Sequence, residues 1–395
     1  MHVVVCTVVH HPADARIYFR EIRALLDAGH RVTYIAPWGE PGAPDLTSTP
    51  AYVRDSGGDS SRNREHSGRG QLTPVAIPRA AGRNRLGPLK AAREALAARA
   101  PGADLLLVHD PELLLALPPK GKRPPAVWDV HEDTAAALTT KAWLPTWLRP
   151  VAAGGVISAE RLAESRLHLI LAEHGYNERF RGTHPVVPNT TFVPDEPAPP
   201  SGARRVVYVG LISPDRGSAE MVDLGKRLAP RGISVELIGP ADAAARAHIE
   251  QGRAAAGQTS DGRAAINWHG FVPNEEALEL AEGALAGLSL LHDEGNFRHS
   301  MPTKVHEYMA RALPVITTPL PLPAGLVNEA DCGFVVPFGV QGVTAAADAI
   351  ARLDDDRGLR VTLGARAHAS AKASDGWSKD AAAFVAQLEQ WAGQS

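Results

Sequence analysis

Short apolar runs alternate with stretches of helical periodicity from one end of the chain to the other. In the first half the runs are Val3–Val9, Arg31–Ala36, Val75–Pro78, Leu105–Val108, Ala126–Val130, His168–Leu171 and Val186–Pro188. They are rich in Val, Ile and Leu, as strands buried on both faces of a parallel sheet are. Between the first two, Ile17 to Ala28 has helical spacing and ends at Gly29. After Arg204 the pattern restarts with Val206–Val209, Val235–Ile238, Ile266–Trp268, Gly287–Leu291, Pro314–Thr317 and Phe334–Val336. Strands separated by helices predict parallel sheets with crossover connections.

The join, Val193 to Gly202, carries Pro194, Pro197, Pro199 and Pro200 and reads as a semi-rigid linker. The expected organisation is therefore an α/β chain of two Rossmann-like domains. The first covers 1–193, the linker 194–203 and the second 204–375, with an amphipathic helix from about Trp377 to Ala392 inside a closing segment 376–395. Gly39 to Gly70 lacks periodicity and reads as a long loop carrying Arg62, Arg64 and Arg69.

At 395 residues the chain exceeds one core. A net charge of −3 gives no field that favours nucleic acid or acidic membranes. Cys6 and Cys332 each lie in or beside an apolar run and are expected as reduced core residues. The opening residues His2 to Val9 read as a strand rather than a signal peptide, and no run of about 18 apolar residues occurs. The expectation is a cytoplasmic protein with at most a peripheral membrane contact.

Met301-Pro302-Thr303-Lys304-Val305-His306-Glu307-Tyr308-Met309 reads as a loop entering a helix. A lysine in a first helical turn opposes the helix dipole by about 0.3–1 kcal/mol, yet the same N-terminus is a ready anion site. Thr303, Lys304 and the free N–H groups suit a phosphate, and Glu307, one turn on, would face hydroxyls of its carrier. Tyr208 to Gly217 reads as strand, turn and helix start, with Arg216 in the turn. A basic residue placed there suits a diphosphate.

In the first half, Val108-His109-Asp110-Pro111-Glu112-Leu113 and Asp129-Val130-His131-Glu132-Asp133 each follow a strand, at carboxyl ends where ligands gather. Asp110 also suits a cap on a helix opening at Pro111. The first turn, His10-His11-Pro12-Ala13-Asp14-Ala15-Arg16-Ile17, contains no glycine, which excludes the dinucleotide fingerprint and argues against a nicotinamide dehydrogenase. Asp14 suits a cap on the next helix. No H-x-x-x-H or H-E-x-x-H spacing points to a metal, and Asp354-Asp355-Asp356 falls at a late helix end.

These segments together resemble the bacterial retaining glycosyltransferases of family 4, which have the GT-B fold. The closest resemblance is to a branch with P-T-K-x-x-E-Y-M, matched at Pro302–Met309, with H-D-P-E-L at His109–Leu113 and D-V-H-E-D at Asp129–Asp133. The resemblance implies two Rossmann-like domains whose parallel sheets face an interdomain cleft, with the last helix packing back on the first domain. It puts Glu307 on the ribose hydroxyls and His299 where the family has a further glutamate. Arg216 matches the lysine of the family's G-R-L-S-x-x-K-G turn, whose arginine position, next to Gly210, holds Leu211.

By the same resemblance, Phe271 and Val272 lie in a turn that receives the base, and Asn296, Phe297, Met301 and His299 lie at the donor sugar. His131 falls near a cleft histidine that organises the reacting groups. The branch has an H-P-x-D-x-R-I segment matched at His11–Ile17, so His10, His11, Asp14 and Arg16, with His109, Asp110 and Glu132, lie on the acceptor side. Trp143 and Trp147 also match the branch and suit interdomain packing or a lipid acceptor.

The implied activity is retaining, metal-independent transfer from a nucleotide-diphosphate sugar, without a bound cofactor. Arg216 and Lys304 would stabilise the leaving diphosphate while His131 orients. The acceptor would be a small secondary metabolite or a saccharide, attacking through O, N or S. Alternatives are a surface-polysaccharide transferase on a lipid-linked acceptor, an epimerase or hydrolase of the nucleotide sugar, and a silent nucleotide-binding partner.

Overall fold

A computed structural model describes residues 1–39, 70–82, 84–131, 149–374 and 376–394, the side chains of 149–153 and 296 excepted. The loop arginines 62, 64 and 69, Glu132 and the tryptophans 143 and 147 lie outside the described residues. The chain divides into two units, Met1–Asn189 with Ser378–Ser395, and Thr190–Trp377. The proline-rich segment thus groups with the second unit, and the last helix, Gly376–Ala392, falls almost wholly to the first.

The first unit is built on six parallel strands: β1 His2–Cys6, β2 Arg31–Ala36, β3 Gln71–Ala76, β4 Leu105–Val108, β5 Ala126–Val130 and β6 His168–Leu171. Their order is β3-β2-β1-β4-β5-β6. Residues of β1, β4 and β5 are buried throughout or nearly so, which is why they read as unbroken apolar runs.

Three expected strands differ. The first ends at Cys6 rather than Val9. Val186–Pro188 contributes only an isolated bridge from Val186 to Leu171. The third strand starts four residues earlier than Val75 and contains Pro74, which an edge strand tolerates.

The second unit repeats the plan with β7 Arg205–Val209, β8 Ser234–Ile238, β9 Ile266–Gly270, β10 Ala286–Ser289, β11 Val315–Thr317 and β12 Gly333–Val335. The order β12-β11-β10-β7-β8-β9 is all parallel. In each sheet the winding reverses beside the first strand, between β1 and β4 and between β7 and β10. Such switch points open a crevice at the carboxyl ends of the strands, where this class of fold binds ligands.

The closing helix is tied to the first unit by Glu389, 3.0 Å from His30 Nε2, and by Trp391, whose ring stacks on His168 at 4.6 Å. Cys6 and Cys332 are both buried and free. No described helix is long and apolar enough to cross a membrane. Asp354 and Asp355 pair with Arg204 and Arg231, and Asp356 caps the helix Arg357–Ala373 through Leu359 N–H at 2.9 Å. That triplet is structural.

Candidate functional sites

At the switch point of the second unit, β7 is followed by Gly210, whose φ of +122° is one that other residues rarely adopt. The chain then turns through Pro214–Arg216 to Gly217, with φ +84°. A Cβ on Gly217 would sit 2.4 Å from the Leu290 carbonyl oxygen, so only glycine lets this turn lie against the exit of β10. The helix Thr303–Ala310 closes the other side, and no side chain caps its N-terminus. Its Tyr308 hydroxyl accepts from the Val209 N–H at 2.9 Å and donates to the Leu288 carbonyl at 3.2 Å. One ring thereby fixes the helix across both strands of the switch.

Lys304 is 6% exposed. Its ammonium donates to the Tyr208 hydroxyl at 3.2 Å and lies 4.5 Å from the centre of that ring. Tyr208 spends its own proton on the Leu211 carbonyl at 2.7 Å. Burial pushes the lysine down to about 7, the nearby Arg216 adds to the effect, and Glu307 opposes it. Arg216 itself packs over Phe297, 5.3 Å from the ring centre.

Glu307 is buried, and one of its oxygens accepts from Asn274 Nδ2 at 3.1 Å. Gly210, Arg216, Phe297, Lys304 and Glu307 are thus gathered around one helix start. Phe271 and Val272 follow β9, the first 37% exposed and the second packed on the core below. Met301, Pro302 and Thr303 lead into the helix half-buried, and His299 is exposed at the end of the short helix Gly295–Arg298. Asn296 lies in that short helix. Asn274 was missing from the expected set, although it follows the Val272-Pro273 turn directly and is polar where a helix begins.

The switch point of the first unit collects a denser set of charges. Arg16 is 4% exposed and grips Asp129 through Nε to Oδ2 at 2.7 Å and Nη2 to Oδ1 at 2.6 Å. It also donates to the Val187 carbonyl and to Asn189 Oδ1, and its Nε lies 3.0 Å from Glu21. Glu21 sits in a π-helical turn, Ile17–Ile22, every residue of which is buried.

Burial raises both carboxyls. At Asp129 the Arg16 guanidinium and hydrogen bonds from His109 and His131 override it and hold the group well below the usual range. At Glu21 the neighbouring Asp129 charge adds to burial and outweighs Arg16, so the group lies well above it. Asp129 is therefore much the more acidic of the two.

His109 is buried between the two, with Nδ1 3.1 Å from Asp129 and Nε2 3.5 Å from Glu21, and burial lowers its pKa despite the hydrogen bond it donates to Asp129. Asp110 Oδ2 accepts from Thr7 Oγ1, Val8 N–H and Val9 N–H at 2.8, 2.6 and 3.2 Å. It makes no cap on the turn Pro111–Leu115, so the expected capping role is replaced by one that pins the end of β1. Arg16, His109 and Asp110 are all interior groups. Arg16 and His109 meet at Asp129, whereas Asp110 is held by the end of β1 and lies 3.3 Å from His10 Nε2.

His10, His131 and Asp14 form the more open rim. His10 Nε2 and His131 Nε2 are 2.9 Å apart. His131 Nδ1 faces Asp129, and His10 Nδ1 lies 3.5 Å from Asp14. Asp110 Oδ1 also lies 3.3 Å from His10 Nε2, so the pair of rings is bounded by carboxylates on three sides. Asp14 Oδ1 accepts from the Arg16 and Ile17 N–H groups, which starts the helical turn as a cap does. His11 Nδ1 accepts from the Ala13 N–H at 3.0 Å and holds the turn.

Among the described residues, His109, Asp129 and His131 bring ligand atoms within 4.8 Å of one another. A cation there would meet the Arg16 guanidinium, which already neutralises Asp129, so these residues do not suit a metal.

Residues 203–356 match the protein-family model described as "Glycosyl transferases group 1", a range that contains Arg216, Asn274, Lys304 and Glu307. No curated protein matches the sequence. Among solved structures the chain is similar to a sucrose-phosphate synthase from Thermosynechococcus elongatus, at 18% identity over 100% of both chains with a TM-score of 0.71. It is also similar to Anabaena HepE, solved in complex with UDP and glucose, at 14% identity over 99% of this chain and 100% of that one, TM-score 0.67. WaaG, a glycosyltransferase involved in lipopolysaccharide biosynthesis, matches at 13% identity over 97% and 98%, TM-score 0.63. Two six-stranded parallel sheets with flanking helices are the α/β architecture of these GT-B structures.

Proposed function

We propose that this chain is a retaining glycosyltransferase that works in the cytoplasm. It takes a sugar from a nucleotide-diphosphate donor and passes it to a small-molecule or saccharide acceptor. The observation that carries this reading is Lys304: a buried ammonium that, among the described residues, has only a tyrosine hydroxyl to bind, beside Arg216 and an uncapped helix start. Burying a charge without a counter-ion is costly unless a ligand supplies one. A diphosphate does so and uses the helix N–H groups as well. Glu307, held by Asn274, accepts from ribose hydroxyls one turn further along.

Catalysis then rests on charge. Arg216, Lys304 and the helix N-terminus stabilise the negative charge that grows on the departing diphosphate, and they are in place before the bond breaks. Two protein cations at this point make a divalent metal unnecessary. On the first unit, His10, His131 and Asp14 are the open groups suited to hold an acceptor. The buried Arg16–Asp129–Glu21–His109 set keeps His131 in one orientation.

The test is a thermal-shift panel of nucleoside diphosphates, with and without Mg²⁺, on wild type and Glu307→Ala. UDP comes first, because HepE was solved with it. Binding to the native state raises the melting temperature, by about 2.7 kcal/mol of stability at 100-fold over Kd. The expected result is a metal-independent shift with one base, reduced in Glu307→Ala. No shift with any nucleotide would sink the reading.

A further inference from the structure

We propose that the donor's diphosphate is bound together with one proton, which Lys304 takes up from solvent as the anion arrives. The inference rests on the donor-site reading above and goes on to its linkage with pH.

The groups that face Lys304 are few. From β7 come the Tyr208 ring and hydroxyl, and from the turn after it the Arg216 guanidinium. The backbone of Gly210 passes so close that a Cβ there would stand 3.6 Å from Lys304 Cε and Nζ. From its own helix come Glu307, tied to Asn274, and Tyr308, whose hydroxyl is committed to Val209 and Leu288.

None of these is a counter-ion in contact. Tyr208 offers a single lone pair, Arg216 repels, and Glu307 attracts only from one turn away. An ammonium so placed has lost its water and gained one neutral hydrogen bond, so the neutral amine competes well, consistent with its being pushed down to about 7. A diphosphate brings two negative charges to the same point and restores the ammonium. Its arrival must therefore draw a proton onto Lys304 Nζ wherever the free site has lost it.

The experiment is isothermal titration of UDP into the full-length protein at pH 8, in Tris and in HEPES, with ADP, GDP, CDP and TDP run in the same way. The difference in heat between buffers of different protonation enthalpy counts the protons taken up. At pH 8 the nucleotide's own terminal phosphate is fully ionised and contributes none. The expected uptake is about 0.9 proton per nucleotide, and affinity weakens about tenfold from pH 8 to pH 9. Lys304→Arg, with a guanidinium that stays charged, should bind without uptake and without that pH dependence.

Binding by wild type with equal heats in the two buffers overturns the proposal and leaves the donor site intact. Uptake that persists in Lys304→Arg overturns it as well, by placing the proton elsewhere. No heat with any of the five nucleotides overturns the donor reading itself, and the proposal with it.

Discussion

Arg16 and Asp129, 113 residues apart in sequence, meet in the interior with two guanidinium–carboxylate bonds of 2.7 and 2.6 Å. The pair joins the turn after β1 to the end of β5, and from Asp129 the contact passes on to His109 and His131. Removing one partner leaves a buried charge uncompensated. Asp129→Asn is therefore expected to destabilise the protein by about 3–5 kcal/mol. Thermal unfolding at pH 7 reads the change, and a loss below 1 kcal/mol would show that water reaches Arg16.

Glu21→Gln should act in the opposite direction. A carboxyl whose folded pKa lies above its unfolded value of about 4.3 contributes stability that is complete below that pH. The contribution is lost as pH rises toward the folded value, because the unfolded group ionises first. Gln keeps the neutral shape and has no such loss. The melting temperature of Glu21→Gln should match wild type near pH 4 and exceed it increasingly toward pH 8. A deficit that persists at every pH would mean that Glu21 is ionised and paired with Arg16.

Lys304→Met tests the second unit in the same way. With a folded pKa of about 7 and an unfolded one of about 10.4, wild type is penalised fully below pH 7. The penalty fades as pH rises from 7 to 10. Methionine should stabilise at pH 6 by on the order of a few kcal/mol and gain little at pH 10. Circular-dichroism melts at the two pH values decide, and loss of nucleotide binding should accompany the gain.

Gly287 in β10 lies flat against the Tyr308 ring, and a Cβ there would fall 2.2 Å from Tyr308 Cγ. Gly287→Ala must push the ring, and with it the helix that carries Lys304 and Glu307. The expected cost is about 1–3 kcal/mol, together with weaker nucleotide binding. Gly325→Ala, in a helix with nothing within 4 Å of the new methyl, should instead stabilise by about 0.4–1 kcal/mol. Measuring both melts and nucleotide affinities separates packing from helix propensity.

The fold was largely legible because its strands are buried on both faces and so appear as apolar runs. Arg31–Ala36, Leu105–Val108, Ala126–Val130 and His168–Leu171 have the expected ends. β3 was misplaced because its burial is partial and irregular and Pro74 interrupts it. The π-turn at Ile17–Ile22 left no mark, since one extra residue per turn hardly changes an apolar pattern over six positions.

The second unit's charged groups were readable because Lys304 and Glu307 lie one helical turn apart. In the first unit, Glu21 escaped notice inside an apolar helical stretch. The bond from Arg16 to Asp129 left no sign either, because the two are 113 residues apart. Local spacing reports neighbours on one element, and it is silent about which buried cation answers which buried anion.

The return of Gly376–Ala392 to the first unit has a consequence for how the chain is made. Phe384, Leu388 and Trp391 are buried there, and Glu389 and Trp391 meet His30 and His168. A ribosome delivers these residues only after the second unit. The first unit, whose sheet strands precede that unit in the chain, must keep an apolar face uncovered through translation of the whole of Thr190–Trp377. The first unit is completed only after the second, and every chain that stops short of Gly376 displays that uncovered face to the chaperones and proteases that survey nascent proteins.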